Sequence, residues 1–248
     1  MNKLKAFTLA ETLIVMGIIG FIAAISVPRL RDGMDERTLV AQLGKIDTDL
    51  QTGYQAVITR YNEPTSLETW EYAGLTDANA IIKIRDLLGA RLADNLSAQK
   101  KCGTSSGCFT SDSTIDSSTS YQKMIVKSGA AVALTITSKP DFTCSTAEDR
   151  YYPCPFGSIV VDVNGIETGP NKAGFDIFAY TISKNGIEPN GLNETSGVVL
   201  SSTDGKQNTA WALKAQNEDY NNAASSNGGS MTCKNGTVLD WKKQRTCK

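Results

Sequence analysis

Apolar residues dominate the first part of the chain. From Phe7 to Pro28, a run of 22 residues, the only ionisable side chain is that of Glu11. A helix of this length, at about 1.5 Å per residue, matches the roughly 30 Å hydrocarbon core of a bilayer. Lys3 and Lys5 precede the run, and positive charge before a first span places the N-terminus in the cytoplasm. We therefore expect this segment to be a single-pass transmembrane helix.

A secretory signal peptide is the alternative interpretation of such a segment. It would have a small-residue cleavage site after the apolar run. The residues that follow the run, Val27-Pro28-Arg29-Leu30, lack that pattern, and the small residue lies before the run, at Ala6. This arrangement favours the anchor.

The apolar run then becomes amphipathic. Apolar residues recur at steps of three and four, which predicts a helix with one face turned to a core. Asn62-Glu63-Pro64 ends the pattern. One helix is therefore expected from about Phe7 to about Tyr61, with kinks at Pro28 and Gly33. The apolar positions of its second half are Leu39, Leu43, Ile46, Leu50, Tyr54, Val57 and Tyr61.

The rest of the chain alternates between helical and strand patterns. A second helix is predicted over Ala78 to Leu96, a polar, Ser/Thr-rich loop over 101–120 and a short helix over Ala210 to Asp219. The sequence thus predicts an α+β fold in which the second half of the long helix packs on an antiparallel sheet. The strand-like runs are Lys123–Lys127, Ala131–Thr137, Ser158–Val163, Phe175–Ile182 and Val198–Leu200.

Charge and composition narrow the function classes. The chain has 25 basic and 26 acidic residues, so no basic excess indicates nucleic acid as the main partner. It has no histidine, which removes His bases, Ser-His and Cys-His nucleophile pairs and His metal ligands. No other nucleophile–base constellation is recognisable. We therefore expect a protein that is not an enzyme.

The cysteines predict disulfides in the globular head. Without histidine a zinc site would need cysteine ligands alone, and no CxxC pair exists. Disulfides formed in an oxidising compartment are therefore favoured over buried free thiols in a cytosolic protein. Six cysteines allow fifteen connectivities, and proximity favours three local pairs. These are Cys102–Cys108, Cys144–Cys154 and Cys233–Cys247.

Oxygen-donating side chains cluster in a glycine-rich stretch late in the predicted sheet. Asp162, Asn164 and Asp176 surround turns at Gly165 and Gly174. They are candidate Ca²⁺ ligands, although the stretch is not an EF-hand, because its spacing is incomplete and no Glu falls at the twelfth position. The alternative is a hairpin whose turns use Asn, Gly and Pro in their usual way. No other cofactor is expected.

The start of the chain resembles the prepilin signature of type IV pilins and type II secretion pseudopilins. The matching features are the basic leader with Lys3 and Lys5, the small residue Ala6, then Phe7, Glu11 and a long apolar helix. Ala6 stands where the family usually has Gly. The resemblance covers about residues 1 to 60, and Pro28 falls where many of these subunits have a helix-breaking proline.

The resemblance implies a processing and assembly route. A prepilin peptidase would cut between Ala6 and Phe7 and N-methylate Phe7. Subunits held in membrane lipid would then be stacked by an inner-membrane assembly platform, with their apolar helices in the filament core. The new amine of Phe7 would be costly in that core without a counter-charge, and Glu11 of a neighbouring subunit would neutralise it.

The implied organisation has four parts. Residues 1–6 are the leader, 7–28 the transmembrane and filament-core helix half, 29–61 the amphipathic half and 62–248 the α+β head. The resemblance places the subunit in the bacterial inner membrane, with its N-terminus cytoplasmic and its head periplasmic, before it joins a pilus or pseudopilus.

The expected function is therefore that of a structural subunit with other pilin or pseudopilin subunits as partners. The alternative is a minor pilin that acts as a tip adhesin or as a DNA-uptake binding module. An enzyme tethered by the anchor has no support in the residues. The Cys233–Cys247 pair would close a C-terminal loop like that of many type IV pilins.

Overall fold

The structure, a computed structural model, consists of two compact units, Met1–Thr38 and Leu39–Lys248. Three expectations fall on residues that the structure does not describe: the leader with Ala6, Phe7 and Cys144. For residues 23–35, 222–227 and 230 the backbone alone is described. The residues described are 9–60, 76–140, 150–195, 197–201, 203–227 and 230–247.

Helix α1 confirms the expectation of one long helix. It runs over Leu9–Arg60, 52 residues, and is helical through Pro28 and Gly33. Its first part belongs to the first unit and its remainder to the second. The other helices are α2 (Asp77–Asn95), α3 (Ser113–Ser117) and α4 (Thr209–Ala215), with 3-10 turns at Gly205–Asn208 and Asp219–Asn222.

The transmembrane expectation for the first half of α1 was wrong. No helix among the described residues combines the length and the apolar character that crossing a bilayer needs. The expected fold class, with a membrane-spanning segment over 7–28, was therefore wrong. The expected localisation, as a single-pass protein of the inner membrane, was wrong for the same reason.

The main sheet is an antiparallel meander of six strands in the order β1-β2-β3-β4-β5-β6. Its strands are β1 (Lys100–Gly103), β2 (Gln122–Ile125), β3 (Ala131–Ile136), β4 (Gly157–Asp162), β5 (Ile177–Ser183) and β6 (Gly186–Pro189). A pair, β7 (Leu192–Asn193) and β8 (Gly197–Val198), and a three-stranded sheet of β9 (Ala223–Asn227), β10 (Ser230–Cys233) and β11 (Val238–Leu239) follow.

One face of the main sheet carries the principal core of the second unit. The large residues of β3 to β5 point to this face, among them Leu134, Val161 and Tyr180, all fully buried. The predicted stripe of α1 joins the same cluster, with Leu43 and Leu50 at its centre. The α+β fold with helix packed on an antiparallel sheet is thus confirmed for this unit.

The other face of the sheet is covered by the segment between β1 and β2. Strand β3 is buried along its whole length, and it turns Ala131 and Ala133 to this face, where they contact Phe109 and Ile115. The small alanines leave room for the covering segment to lie close to the strand. Residues 101–120, expected as a loop, therefore include most of strand β1 and a packed covering layer that contains α3.

Candidate functional site

The first unit carries an exposed apolar surface, which we call the apolar helix surface, residues 9–22 of α1. Every side chain in this stretch is exposed; Leu13 is 63 % exposed and Phe21 69 %. A Cβ added at Gly17 or Gly20 would meet no atom within 4 Å. An apolar patch of this extent marks a site of interaction with another apolar surface.

Glu11 is the single charged residue of the apolar helix surface. It is exposed and lies in the first turn of α1. A carboxylate is favourable there because the helix dipole places partial positive charge at this end. In the next position, the Thr12 hydroxyl donates to the Leu9 carbonyl oxygen at 2.8 Å. The helix thus carries one acid within a long apolar stretch, and the assembly role of Glu11 stays a prediction.

The other residues predicted from the signature are placed as follows. Ala6 and Phe7 lie outside the described residues, so cleavage between them stays a prediction. Pro28 lies inside α1, where the backbone alone is described.

Asp162, Asn164 and Asp176 are brought together by the turn between β4 and β5. Asp162 is 0 % exposed at the end of β4, and Asp176 is buried just before β5. Burial, with a further contribution from the nearby charge of Asp176, raises the pKa of Asp162 to about 6. The nearby Ser111 hydroxyl lowers the pKa of Asp162 and so partly offsets the effect of burial.

The loop between these strands satisfies much of its own backbone through these side chains. Asp162 Oδ1 accepts from the Gly165 N–H at 3.0 Å, and Asn164 Nδ2 donates to the Gly169 carbonyl at 3.1 Å. The two oxygens of Asp176 accept from the Asn171 and Lys172 N–H groups, each at 2.7 Å. These are the contacts that the hairpin-turn interpretation predicts.

Other side-chain oxygens around this turn accept no hydrogen bond from the described residues. Asp162 Oδ2, Asn164 Oδ1 and Ser111 Oγ are buried without a hydrogen-bond partner among the described residues. They suit a hard cation, but calcium takes six to eight oxygens. No group of three or more acidic, Cys or His side chains that would hold a metal occurs in the described part of the chain. Calcium binding by these residues stays a prediction.

The disulfide expectation is confirmed for two pairs. Cys102–Cys108 and Cys233–Cys247 are bonded, with Cα–Cα distances of 6.0 and 5.7 Å. Cys154 is also disulfide-bonded, while Cys144 lies outside the described residues. Both visible bonds close local loops in the second unit.

A buried hydrogen-bond network around Asp116 and Lys123, in the segment between β1 and β2, escaped the sequence analysis. The Asp116 carboxylate accepts from the N–H groups of Gly107 and Phe109 at 2.9 Å. Lys123, 1 % exposed, donates through Nζ to the carbonyl oxygens of Asp116 and Ser118 at 2.6 and 2.8 Å. Together they hold the Cys102–Cys108 loop and the end of α3 on the sheet. The only sequence signal was one Lys within an otherwise apolar strand pattern.

Comparison with known proteins identifies no relative: no protein-family model, no curated protein and no solved structure matches the chain. The residues and their geometry therefore carry the functional argument.

Proposed function

We propose that the protein is a structural subunit of a type IV pilus or type II secretion pseudopilus, assembled through the apolar helix surface. The supporting observation is that residues 9–22 form a helix with every side chain exposed and one carboxylate, Glu11, in its first turn. A helix of this kind gains free energy when it packs against copies of itself, at roughly 25 cal/mol per Å² of buried apolar area.

In this proposal a prepilin peptidase cuts between Ala6 and Phe7 and N-methylates Phe7. Cleavage creates a positive amine four residues before Glu11. When the apolar helices of neighbouring subunits pack together, that amine enters a medium where an unpaired charge is expensive. Glu11 of the adjacent subunit neutralises it, so the pair fixes the axial register between subunits. Removal of one partner costs more free energy than the complete pair contributes, because the remaining charge is left buried and unpaired.

The experiment compares filament incorporation in wild type and Glu11 variants at equal expression. Glu11→Ala and Glu11→Gln both remove the charge, and Gln keeps the size. We expect both to be processed normally and to lower the ratio of sheared filament to cell-associated subunit at least tenfold. Glu167→Gln, which neutralises an exposed acid in the loop after β4, is the matched control and should leave the ratio unchanged.

An unchanged ratio in both Glu11 variants contradicts the charge-pair mechanism. A lowered ratio in Glu167→Gln as well would mean that the assay responds to any loss of negative charge rather than to the position of Glu11.

A further inference from the structure

A groove lies between helix α1, the end of α2 and the turn that joins β2 to β3. Its volume is about 530 Å³, within the roughly 300–1,000 Å³ of small-molecule sites. It lies wholly in the second unit, so it exists in a single unassembled subunit. We call it the α1–α2 groove, and the residues on which its chemistry depends are Lys45, Asp49, Thr52, Leu96, Lys127 and Ser128.

Contacts between the walls fix the shape of the α1–α2 groove. The Gln99 N–H donates to the Ile125 carbonyl oxygen at 2.8 Å, which ties the segment after α2 to β2. Where α1 meets this segment, a Cβ on Gly53 would lie 3.1 Å from Leu96 Cδ2, so the glycine allows the two to approach closely. The groove is therefore formed before a ligand arrives, and little free energy is lost in ordering it.

The apolar part of the lining comes from three places in the chain. Ala56 belongs to α1, Leu96 follows α2 and the buried Val126 follows β2. Ala56 and Leu96 are half-buried, so they present apolar area that a ligand can still remove from water. The groove therefore favours a ligand with an apolar body.

The cations of the groove are Lys45 of α1 and Lys127 of the turn between β2 and β3, and both are exposed. Neither forms an ion pair with a described residue. The turn that carries Lys127 is braced, because the Gly129 N–H donates to the Val126 carbonyl oxygen at 2.9 Å and Gln99 Nε2 donates to the Lys127 carbonyl oxygen at 3.3 Å. Two ammonium groups on separate elements favour a negatively charged group between them.

Asp49 is the one acid of the lining, half-buried about one helical turn after Lys45. Because the lining has two cations and one acid, the groove keeps a net positive charge. The hydroxyl groups of Thr52 and Ser128 add donors that suit a carboxylate oxygen. The polar part of the lining therefore favours an anion.

We propose that the α1–α2 groove binds a small organic anion with one carboxylate and an apolar body. The carboxylate lies between the Lys45 and Lys127 ammonium groups, and the apolar body covers Leu96 and Val126. Charge-assisted hydrogen bonds hold the carboxylate, and removal from water holds the apolar body. An inorganic anion uses only the cations and a neutral lipid uses only the apolar lining, so both bind more weakly. The site needs no second subunit and is independent of the filament role proposed above.

The test is a titration of octanoate, an eight-carbon carboxylate, into the full-length nitrogen-15-labelled protein, followed by NMR. The amide signals of Gly53 and Ser128 report on the groove, whereas those of Gly17 and Gly20 report on the apolar helix surface. We expect saturable shifts of the groove signals, and acetate, octanol and octylammonium should each bind there at least about tenfold more weakly.

Charge variants locate the carboxylate of the ligand. K45Q/K127Q should lower the affinity for octanoate at least about tenfold, because it removes both cations. Asp49→Asn should raise the affinity about threefold, because it removes the opposing charge. The matched control K139Q/K243Q removes two exposed cations outside the groove and should leave the affinity unchanged.

Three results overturn the proposal: no shift of the groove signals at millimolar octanoate, octanol or octylammonium bound there as tightly as octanoate, or equal affinities of K45Q/K127Q and K139Q/K243Q. Urea unfolding verifies that each variant folds. If K45Q/K127Q is unstable, K127Q alone serves instead and should lower the affinity about threefold; an unchanged affinity then overturns the proposal.

Discussion

At Asp116 the protein keeps a carboxylate ionised inside a packed layer. Burial raises the pKa of this group, but the N–H groups of Phe109, Gly107 and Cys108 and the charge of Lys123 outweigh burial, and the pKa lies below its usual value. Lys123 is affected in the opposite sense: burial lowers its pKa, which the charge of Asp116 partly offsets. Each of these buried charges is acceptable because it is hydrogen-bonded to main-chain groups.

The lowered pKa of Asp116 predicts a pH-dependent stability. The pKa of Asp116 is lower in the folded than in the unfolded chain. The ionised carboxylate therefore contributes fully to the free energy of unfolding above the pKa of the unfolded chain, about 4, and this contribution is lost as the pH falls through the folded-state pKa. Asp116→Asn should lower the free energy of unfolding by about 1–3 kcal/mol at pH 7, and the difference from wild type should shrink toward pH 3. Urea unfolding at both pH values measures this. A difference that is the same at pH 7 and pH 3 would rule out the ionised form as the stabilising species.

The contact between Lys123 and the Asp116 carbonyl also marks a limit of sequence analysis. Neither residue stands in a recognisable motif, and the two meet only because β2 lies beside the segment that follows the Cys102–Cys108 loop. A tertiary contact of this kind leaves no periodic signal. Asp162, Asn164 and Asp176 could be grouped from the sequence because one short turn contains all three.

At the scale of elements, helix α1 combines two surfaces that differ in exposure. Residues 9–22 are exposed, whereas Leu43, Ile46 and Leu50 are buried against the sheet. The same residue type therefore has a different energetic role in each part: it packs in the core of the second unit, and in the first it forms the exposed surface that we propose for association.

This contrast predicts unequal effects of the same substitution. Leu50 is 1 % exposed, so Leu50→Ala should lower the free energy of unfolding by about 2–5 kcal/mol through lost contacts and a cavity. Leu13→Ala, in the apolar helix surface, is the matched control and should change it by no more than about 0.5 kcal/mol. Chemical denaturation of the two variants in parallel measures both. Equal effects would contradict the assignment of the two surfaces.

Elements with strong periodicity were predicted well. The long helix, α2 and the strands β2 to β5 lie within one or two residues of the expected positions, because a 3.6-residue or two-residue pattern spans each of them. β1, β6, α3 and the three-stranded sheet of β9 to β11 were missed. They are short, and their backbones are fixed by neighbours and by disulfides rather than by a pattern of their own. The transmembrane expectation was wrong, since apolar composition alone does not decide whether a helix spans a bilayer.

At the scale of the whole molecule, the chain divides into an apolar helical unit and a compact α+β unit held by local disulfides. The compact unit has a complete core of its own, while the residues of the apolar helix surface bury nothing among the described atoms. We therefore propose that the compact unit supplies stability and the apolar helix surface supplies association, with cleavage ahead of Phe7 as the step that enables association.

The N-terminal mass of protein recovered from sheared surface filaments tests this account most directly. The processing site makes a definite chemical product, so peptide mass spectrometry distinguishes the alternatives without assumptions about structure. We predict a mature chain that begins at Phe7 and carries one methyl group on its α-amine. A filament-associated chain that begins at Met1, or one cut after the apolar run near Arg29, would contradict the proposed processing and assembly.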